Sequence, residues 1–172
     1  MTIELNARLR LAQHIKLVAL AFALLTAIPV AAQAQAHLDV QTTVHKQEVF
    51  TNEAGEPETR LVPAEIVVPG ESVFYTITFT NVSDEPADNV VITNPIATDL
   101  MYIDGSAFGP GTVIEFSVDG GVTFAAASEL TVTENGEVRN AKASDFTHVR
   151  WVMQNDLAAG AQGTARFAAI LE

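Results

Sequence analysis

The sequence predicts an all-β protein, a β-sandwich with Greek-key connections, and three observations predict it. Apolar side chains after Ala36 recur every second residue in short runs, the period of a half-buried strand. The runs are separated by Gly, Pro, Asn and Asp, the residues that turn a chain. No run after Ala36 keeps a long 3.6-residue period. Strands that are apolar on one face hide it by laying one sheet on another.

The first segment reads differently from the rest. Arg8, Arg10, His14 and Lys16 make a basic start, Leu17 to Val30 is uncharged, and Ala31 to Ala36 is rich in small residues. This is the order of a secretory signal, basic region, short apolar core and small-residue cleavage site. The core spans fourteen residues, short of the roughly 20 that a membrane-spanning helix needs. Two A-x-A sites end at Ala34 and Ala36, and the second is preferred. We therefore expect a helical signal peptide over 1–36, cleaved on export, and one domain over 37–172.

Within that domain Leu38, Val40 and Val44 share one face of an extended segment, against Asp39, Gln41, Thr43 and His45. A polar loop over 52–58, with Ala54-Gly55-Glu56-Pro57 as a hairpin tip, leads to a second run over 59–68. Pro69-Gly70 then turns the chain into the clearest strand, Ser72 to Asn81, where Val73, Tyr75, Ile77 and Phe79 face one way. Ser83 to Asp88 turns it out. Asn89 to Thr93 and Met101 to Asp104 follow as short strands. Thr112 to Val118 and Val122 to Ala126 flank Asp119-Gly120-Gly121, the pattern of a hairpin. A second hairpin is expected around Asn135-Gly136, between Leu130–Thr133 and Glu137–Arg139. Thr147 to Met153 carries the single tryptophan, Trp151, expected between the sheets. Gly163 to Leu171 closes the chain. Eight to ten strands result.

Charge and composition narrow the functions. The whole chain has a formal net charge of −12. Residues 37–172 carry six basic against twenty acidic side chains, a net of −14. Such a surface repels phosphate backbones and anionic lipid, so no nucleic-acid partner is expected. It serves solubility, and it also raises the question of divalent cations. With no cysteine, thiol catalysis, iron–sulfur clusters and cysteine zinc sites are excluded.

No catalytic, cofactor-binding or metal-ligating residue is assigned from the sequence. There is no G-x-S-x-G; Ser106 sits in Gly105-Ser106-Ala107-Phe108-Gly109, the wrong spacing for a nucleophile elbow. His148 with Asp145 could join a triad, but no motif supports one. No H-E-x-x-H or paired histidine occurs, and His45 reads as a solvated strand residue. Asp84, Glu85, Asp88 and Asp119 offer the oxygens that calcium takes, without a D-x-D-x-D-G ladder; in turns such residues ordinarily bond their own backbone. A glycosidase pair cannot be picked out among twenty acids. Most aromatics fall at core positions of strands, with Phe74 and Phe108 the expected exposed exceptions.

The run VPGESVFYTITFTNVSDEPADNVV, Val68 to Val91, resembles a bacterial and archaeal surface-protein module, the conserved-repeat family named domain of unknown function eleven. Pro69-Gly70 matches its PG turn, Tyr75 to Asn81 its Y-T-I-T-x-T-N strand, and Asn89 to Pro95 its N-V-V segment before proline. Tyr102 to Ser106, Ser117 to Phe124 (SVDGGVTF), and Trp151, Leu157 and Gly160 resemble its later pieces. The likeness spans Leu38 to Leu171. Asn94 stands where the family has Asp, and Ile96 to Leu100 replaces its L-P-x-G-L turn; Asn94 would weaken a cation role of that position. The resemblance implies an immunoglobulin-like sandwich at the cell surface and no particular activity.

Three functions are therefore expected in competition. The first is an exported, periplasmic or extracellular, non-catalytic structural or interaction module of the cell envelope or matrix. It would work through protein partners or self-association, without stable membrane insertion after signal cleavage. The second is a self-assembling filament subunit that donates residues 38–50 to a neighbour's sheet, unless that segment is simply the first strand of its own sheet. The third is a ligand-binding module or enzyme, with carbohydrate as the leading ligand. No lipidated cysteine, C-terminal apolar span or sorting tail is seen, so no covalent anchor is expected.

Overall fold

Ser72–Asn81 is a strand over the full length its alternation marks, and the sandwich is assembled around it. The structure, a computed structural model, describes residues 37–172. The signal peptide expected over 1–36 lies outside the described residues, with its cleavage sites. Ten strands follow: β1 (Leu38–Thr51), β2 (Pro57–Pro63), β3 (Ser72–Asn81), β4 (Val91–Pro95), β5 (Leu100–Tyr102), β6 (Thr112–Ser117), β7 (Thr131–Glu134), β8 (Glu137–Asn140), β9 (His148–Met153) and β10 (Gln162–Leu171). Every pairing between them is antiparallel. One sheet has the order β2-β1-β3-β10-β5, a second β4-β9-β6, and β7-β8 stands as a separate hairpin. The described residues are all-β, with two single-turn 3-10 segments, Ala127–Glu129 and Ala143–Asp145, as their only helical pieces.

The core lies between the two larger sheets. Val73, Ile77 and Phe79 of β3 and Ala165, Phe167 and Ala169 of β10 are buried on one side. Ile92 of β4, Phe116 of β6, and Val149 and Trp151 of β9 meet them from the other. Trp151 has no exposed surface, as expected, and its ring lies 6.2 Å from that of Phe167. Burying each such large side chain is worth about 1.5–3 kcal/mol. Glycine is required opposite Phe79, because a Cβ on Gly163 would run into the Phe79 ring.

The same contacts show how the sheets are stacked. β10 lies over β9 through Phe167 and Trp151. β5 lies over β6, where the rings of Tyr102 and Phe116 are 5.1 Å apart. Counting along each sheet from these two points sets β3 over β4. Nothing in the smaller sheet is then left to lie beneath β1 and β2.

The turn chemistry explains both the agreements and the departures. Asn135 and Gly136 have φ of 53° and 85°, the left-handed pair that a two-residue hairpin needs, and β7-β8 forms around them. Around Asp119-Gly120-Gly121 the expected hairpin does not form. Val122 to Ala126 is not a strand and touches β6 only through the bridge Phe116–Ala125. The Asp119 carboxylate accepts the N–H of Val122 at 3.0 Å and of Thr123 at 2.9 Å, so those donors are unavailable to a ladder. The run expected over 59–68 is strand only to Pro63. Ala64 to Glu71 instead crosses as a strap to the start of β3, with Ala64 and Val67 packed on the core. The strand expected at Asn89–Thr93 is displaced to Val91–Pro95, because Asn89 has a φ of 50°.

Candidate interaction surface

Two buried polar residues organise the acidic turns singled out for calcium. Asn81, at the end of β3, is fully buried. Its Nδ2 donates to the carbonyls of Glu85 (2.8 Å) and Leu157 (2.9 Å), and its Oδ1 accepts from the Ser83 hydroxyl (2.6 Å) and N–H (3.1 Å). The loop bearing Asp84, Glu85 and Asp88 is thus pinned from beneath by an amide. Ser117, also fully buried, donates to Asp119 at 2.7 Å and accepts from Gly121 N–H at 2.9 Å. Asp119 takes the Thr123 hydroxyl as well (2.6 Å), and these bonds hold its carboxyl below the ordinary carboxylate range. Its oxygens therefore serve the turn, and the described residues hold no group of three or more His, Asp or Glu placed for a metal ion. The sequence reading missed Asn81 and Ser117. Asn81 continues the inward series Val73, Tyr75, Ile77 and Phe79, and a polar residue in that series is the signal that marks it. Ser117 follows inward Phe116 on the opposite side of β6, buried by its own turn, and no strand pattern marks it.

The Ser–His–Asp candidates are not brought together. Ser106 Oγ donates to the carbonyl of Ala168 (3.1 Å) and accepts its N–H (3.0 Å), tying the β5–β6 connection to β10. Asp145 is gripped by Arg139 at 2.6 and 3.0 Å and by the N–H of Lys142 at 2.7 Å, which lowers its carboxyl to about 2. His148 has Nδ1 at 3.2 Å from Thr147 Oγ1 and its ring edge-on to Phe124. Beside it Arg150 sits over the Phe124 ring at 4.0 Å and is paired with Glu115 across β9 and β6.

Phe74 and Phe108, the aromatics expected at the surface, do meet in one place. Both line a cavity of about 300 Å³ on the outer face of the five-stranded sheet, with Leu61, Thr76 and Arg166. Phe108 is 55% exposed and Phe74 is half-buried. The bridge Phe108–Arg166 places the guanidinium-bearing residue beside the aromatic. Among the described residues Arg166 makes no ion pair, whereas four of the other basic side chains do.

The most unusual surface is the flank where β1 overhangs. Residues 38, 40, 42 and 44 point to the same side of the sheet as Ile77 and Phe79, yet Val40 is 48% exposed and Thr42 is exposed too. The cause is the stacking, since no strand runs beneath them. Val82 N–H donates to the carbonyl of His37, so the odd-numbered residues of β1 bond β3. Alternation in an antiparallel ladder then aims the backbone of Leu38, Val40 and Thr42 away from β3, and β2 begins to pair only at His45. The β4 edge is open in the same way. Met153 N–H donates to Val90 and Ile96 N–H to Thr147, leaving the backbone of Val91, Thr93 and Pro95 on the outer side. Pro95, which has no N–H, falls where an edge strand tolerates it.

The far end of this flank is hollow. Val44, Tyr75, Leu171 and Leu100 from β1, β3, β10 and β5 of the large sheet, Val67 from the strap, and Ala97 and Asp99 after β4 line a cavity of about 400 Å³. Burial, with the charge of Asp99, pushes the Tyr75 phenol above its ordinary value. No helix among the described residues is long and apolar enough to cross a membrane.

Fold and surface together define an all-β sandwich with one unclosed flank. Compared with known proteins, the chain matches no family model, no curated protein and no solved structure.

Proposed function

We propose that this chain is an exported, non-catalytic structural or interaction module of the cell envelope or extracellular matrix. The open flank carries this reading. It offers backbone donors and acceptors on two strand edges beside exposed apolar side chains, the combination through which sheets bind other chains. The order of residues 1–36 supports export. The resemblance to the surface-protein repeat family supports an immunoglobulin-like sandwich with Greek-key connections, and the crossing of the chain between sheets at β3–β4, β4–β5, β5–β6 and β9–β10 agrees with it. The engagement of Ser106, Asp119 and Asp145 in structural bonds supports a role without catalysis.

Cell fractionation combined with photocrosslinking from Thr42 tests this reading, with Val138 on β8 as the control position. The expected outcome is processed protein outside the cytoplasm, with adducts from Thr42 well above those from Val138. Unprocessed protein held in the cytoplasm, or equal crosslinking from both positions, would remove the proposal.

Two other readings remain distinct from it. A carbohydrate-binding module is favoured by the cavity of Phe74, Phe108 and unpaired Arg166, since flat apolar rings beside a hydrogen-bond donor suit a sugar. A glycan array and a thermal-shift screen would both have to respond. A filament subunit exchanging residues 38–50 would require β1 to leave β3 and β2, to which it is bonded along its whole length. Light scattering of the purified protein, with and without calcium, separates that case, because a strict monomer rules it out.

A further inference from the structure

We propose that the open flank binds a basic, extended segment of a partner protein, which adds to the outer edge of β4 as a fourth strand and lies beneath β1. The inference rests on the interaction-module reading and specifies the partner's chemistry.

Three observations converge on this occupant. The first is hydrogen bonding. The free edge of β4 presents the N–H and C=O of Val91 and Thr93, spaced for an antiparallel strand, while the Pro95 carbonyl beyond them already accepts from the Asn94 side-chain amide at 2.7 Å. The second is room. The smaller sheet ends at β4 while the larger continues to β1, so the next strand position is vacant and roofed by Val40, Thr42 and Val44. A strand there would present alternate side chains to that roof, which calls for an apolar residue at every second place. The third is charge. Asp84, Glu85 and Asp88 precede β4 and Asp99 follows it, all exposed and none in an ion pair. Lys46 on β1 and Arg150 on β9 are already matched by Glu71 and Glu115. An acidic bracket at both ends of a free edge selects a strand with Lys or Arg near its ends. The same field disfavours a second copy of this chain, whose residues 37–172 carry a net −14.

The test uses the purified protein and two synthetic peptides about seven residues long, an ordinary strand length. Both alternate Val and Thr; one has lysine at each end and the other glutamate. Hydrogen exchange read by NMR reports on individual amides. With the lysine peptide the amides of Val91 and Thr93 should slow by about tenfold or more, with resonance shifts at Val40 and Thr42. The effect should weaken with added salt and be absent with the glutamate peptide. The variant Thr93→Pro, which deletes an outward N–H, should abolish protection without lowering the melting temperature by more than a few degrees. Val40→Glu gives an independent second variant and should weaken binding through the roof.

No protection at Val91 and Thr93 by the lysine peptide, equal protection by both peptides, or shifts confined to the β5 and β6 edges would overturn the proposal. If the peptides fail while Thr42 still crosslinks in the cell, strand addition is wrong and the interaction module stands. If both fail, the functional reading falls with it.

Discussion

On the flank formed by β5 and β6, Tyr102, Phe116 and Phe146 interlock with ring centroids 4.5 to 5.8 Å apart, and all three are buried. On the flank formed by β1 and β4, Val40 and Thr42 face the same interior and remain open to water. Both flanks are made of alternating strands from one chain. Their difference comes from a mismatch in strand number, five in one sheet and three in the other. The closed flank is also sealed by chain that is not strand: Ala125 bridges the β6 edge, and the segment Ala143–Phe146 brings the third ring. On the open flank the strap Ala64–Glu71 reaches only the hollow end, and of the inward positions of β1 it leaves Val40 and Thr42 exposed. Burial of an apolar face therefore depends on what lies opposite it, and alternation in a strand is only half the condition.

Substitutions at equivalent inward positions should expose this contrast. Phe116→Ala should lose about 3–5 kcal/mol in urea unfolding, because it empties the middle of the aromatic cluster. Val40→Ala should change stability by less than about 0.5 kcal/mol, the range of a surface site. Comparable losses at the two positions would mean that the β1–β4 flank is closed after all.

Smaller effects sharpen the picture. Gly163→Ala in β10 drives a methyl into the Phe79 ring at the centre shared by both flanks, and should cost about 1–3 kcal/mol by overpacking. Asn81→Ala removes the amide that satisfies the carbonyls of Glu85 and Leu157. It should cost about 1–3 kcal/mol, with faster amide exchange concentrated in 82–90, the approach to the β4 edge.

The mildest probe is acid on the closed flank. Asp145 titrates at about 2 in the folded protein against an ordinary 3.8, chiefly because Arg139 hydrogen-bonds it. A folded value below the unfolded one stabilises the protein above the ordinary carboxylate range, and that contribution is lost as pH falls through about 2. Arg139→Gln should move the Asp145 midpoint, followed by carboxyl NMR, back toward 3.8 and loosen the segment leading to Phe146. An unmoved midpoint would show that the pair does not control the group.

Much of this architecture was legible in the residues. The alternation of Ser72–Asn81 predicted β3 to the residue, and Asn135-Gly136 predicted the β7-β8 hairpin, because period and turn conformation are local properties. Trp151 was expected in the core and is there. The hairpin expected at Asp119 failed because a side chain outcompeted a strand for Val122 and Thr123, a contest whose outcome depends on where Ser117 is buried. Phe74 and Phe108 could be named as surface aromatics, but not as neighbours, since 34 positions of chain separate them.

The sequence by itself determined that the chain after residue 36 would form short antiparallel strands, and which face of each would be apolar, since both follow from a two-residue period and from turn residues acting over a few bonds. Tertiary structure alone decided that three strands would lie under five. Which strand ends up beneath which depends on non-local pairing along the whole chain. Val40 and Thr42 on the inward face of β1 are consequently open and Phe116 on the inward face of β6 is shut, although their local patterns promised the same fate.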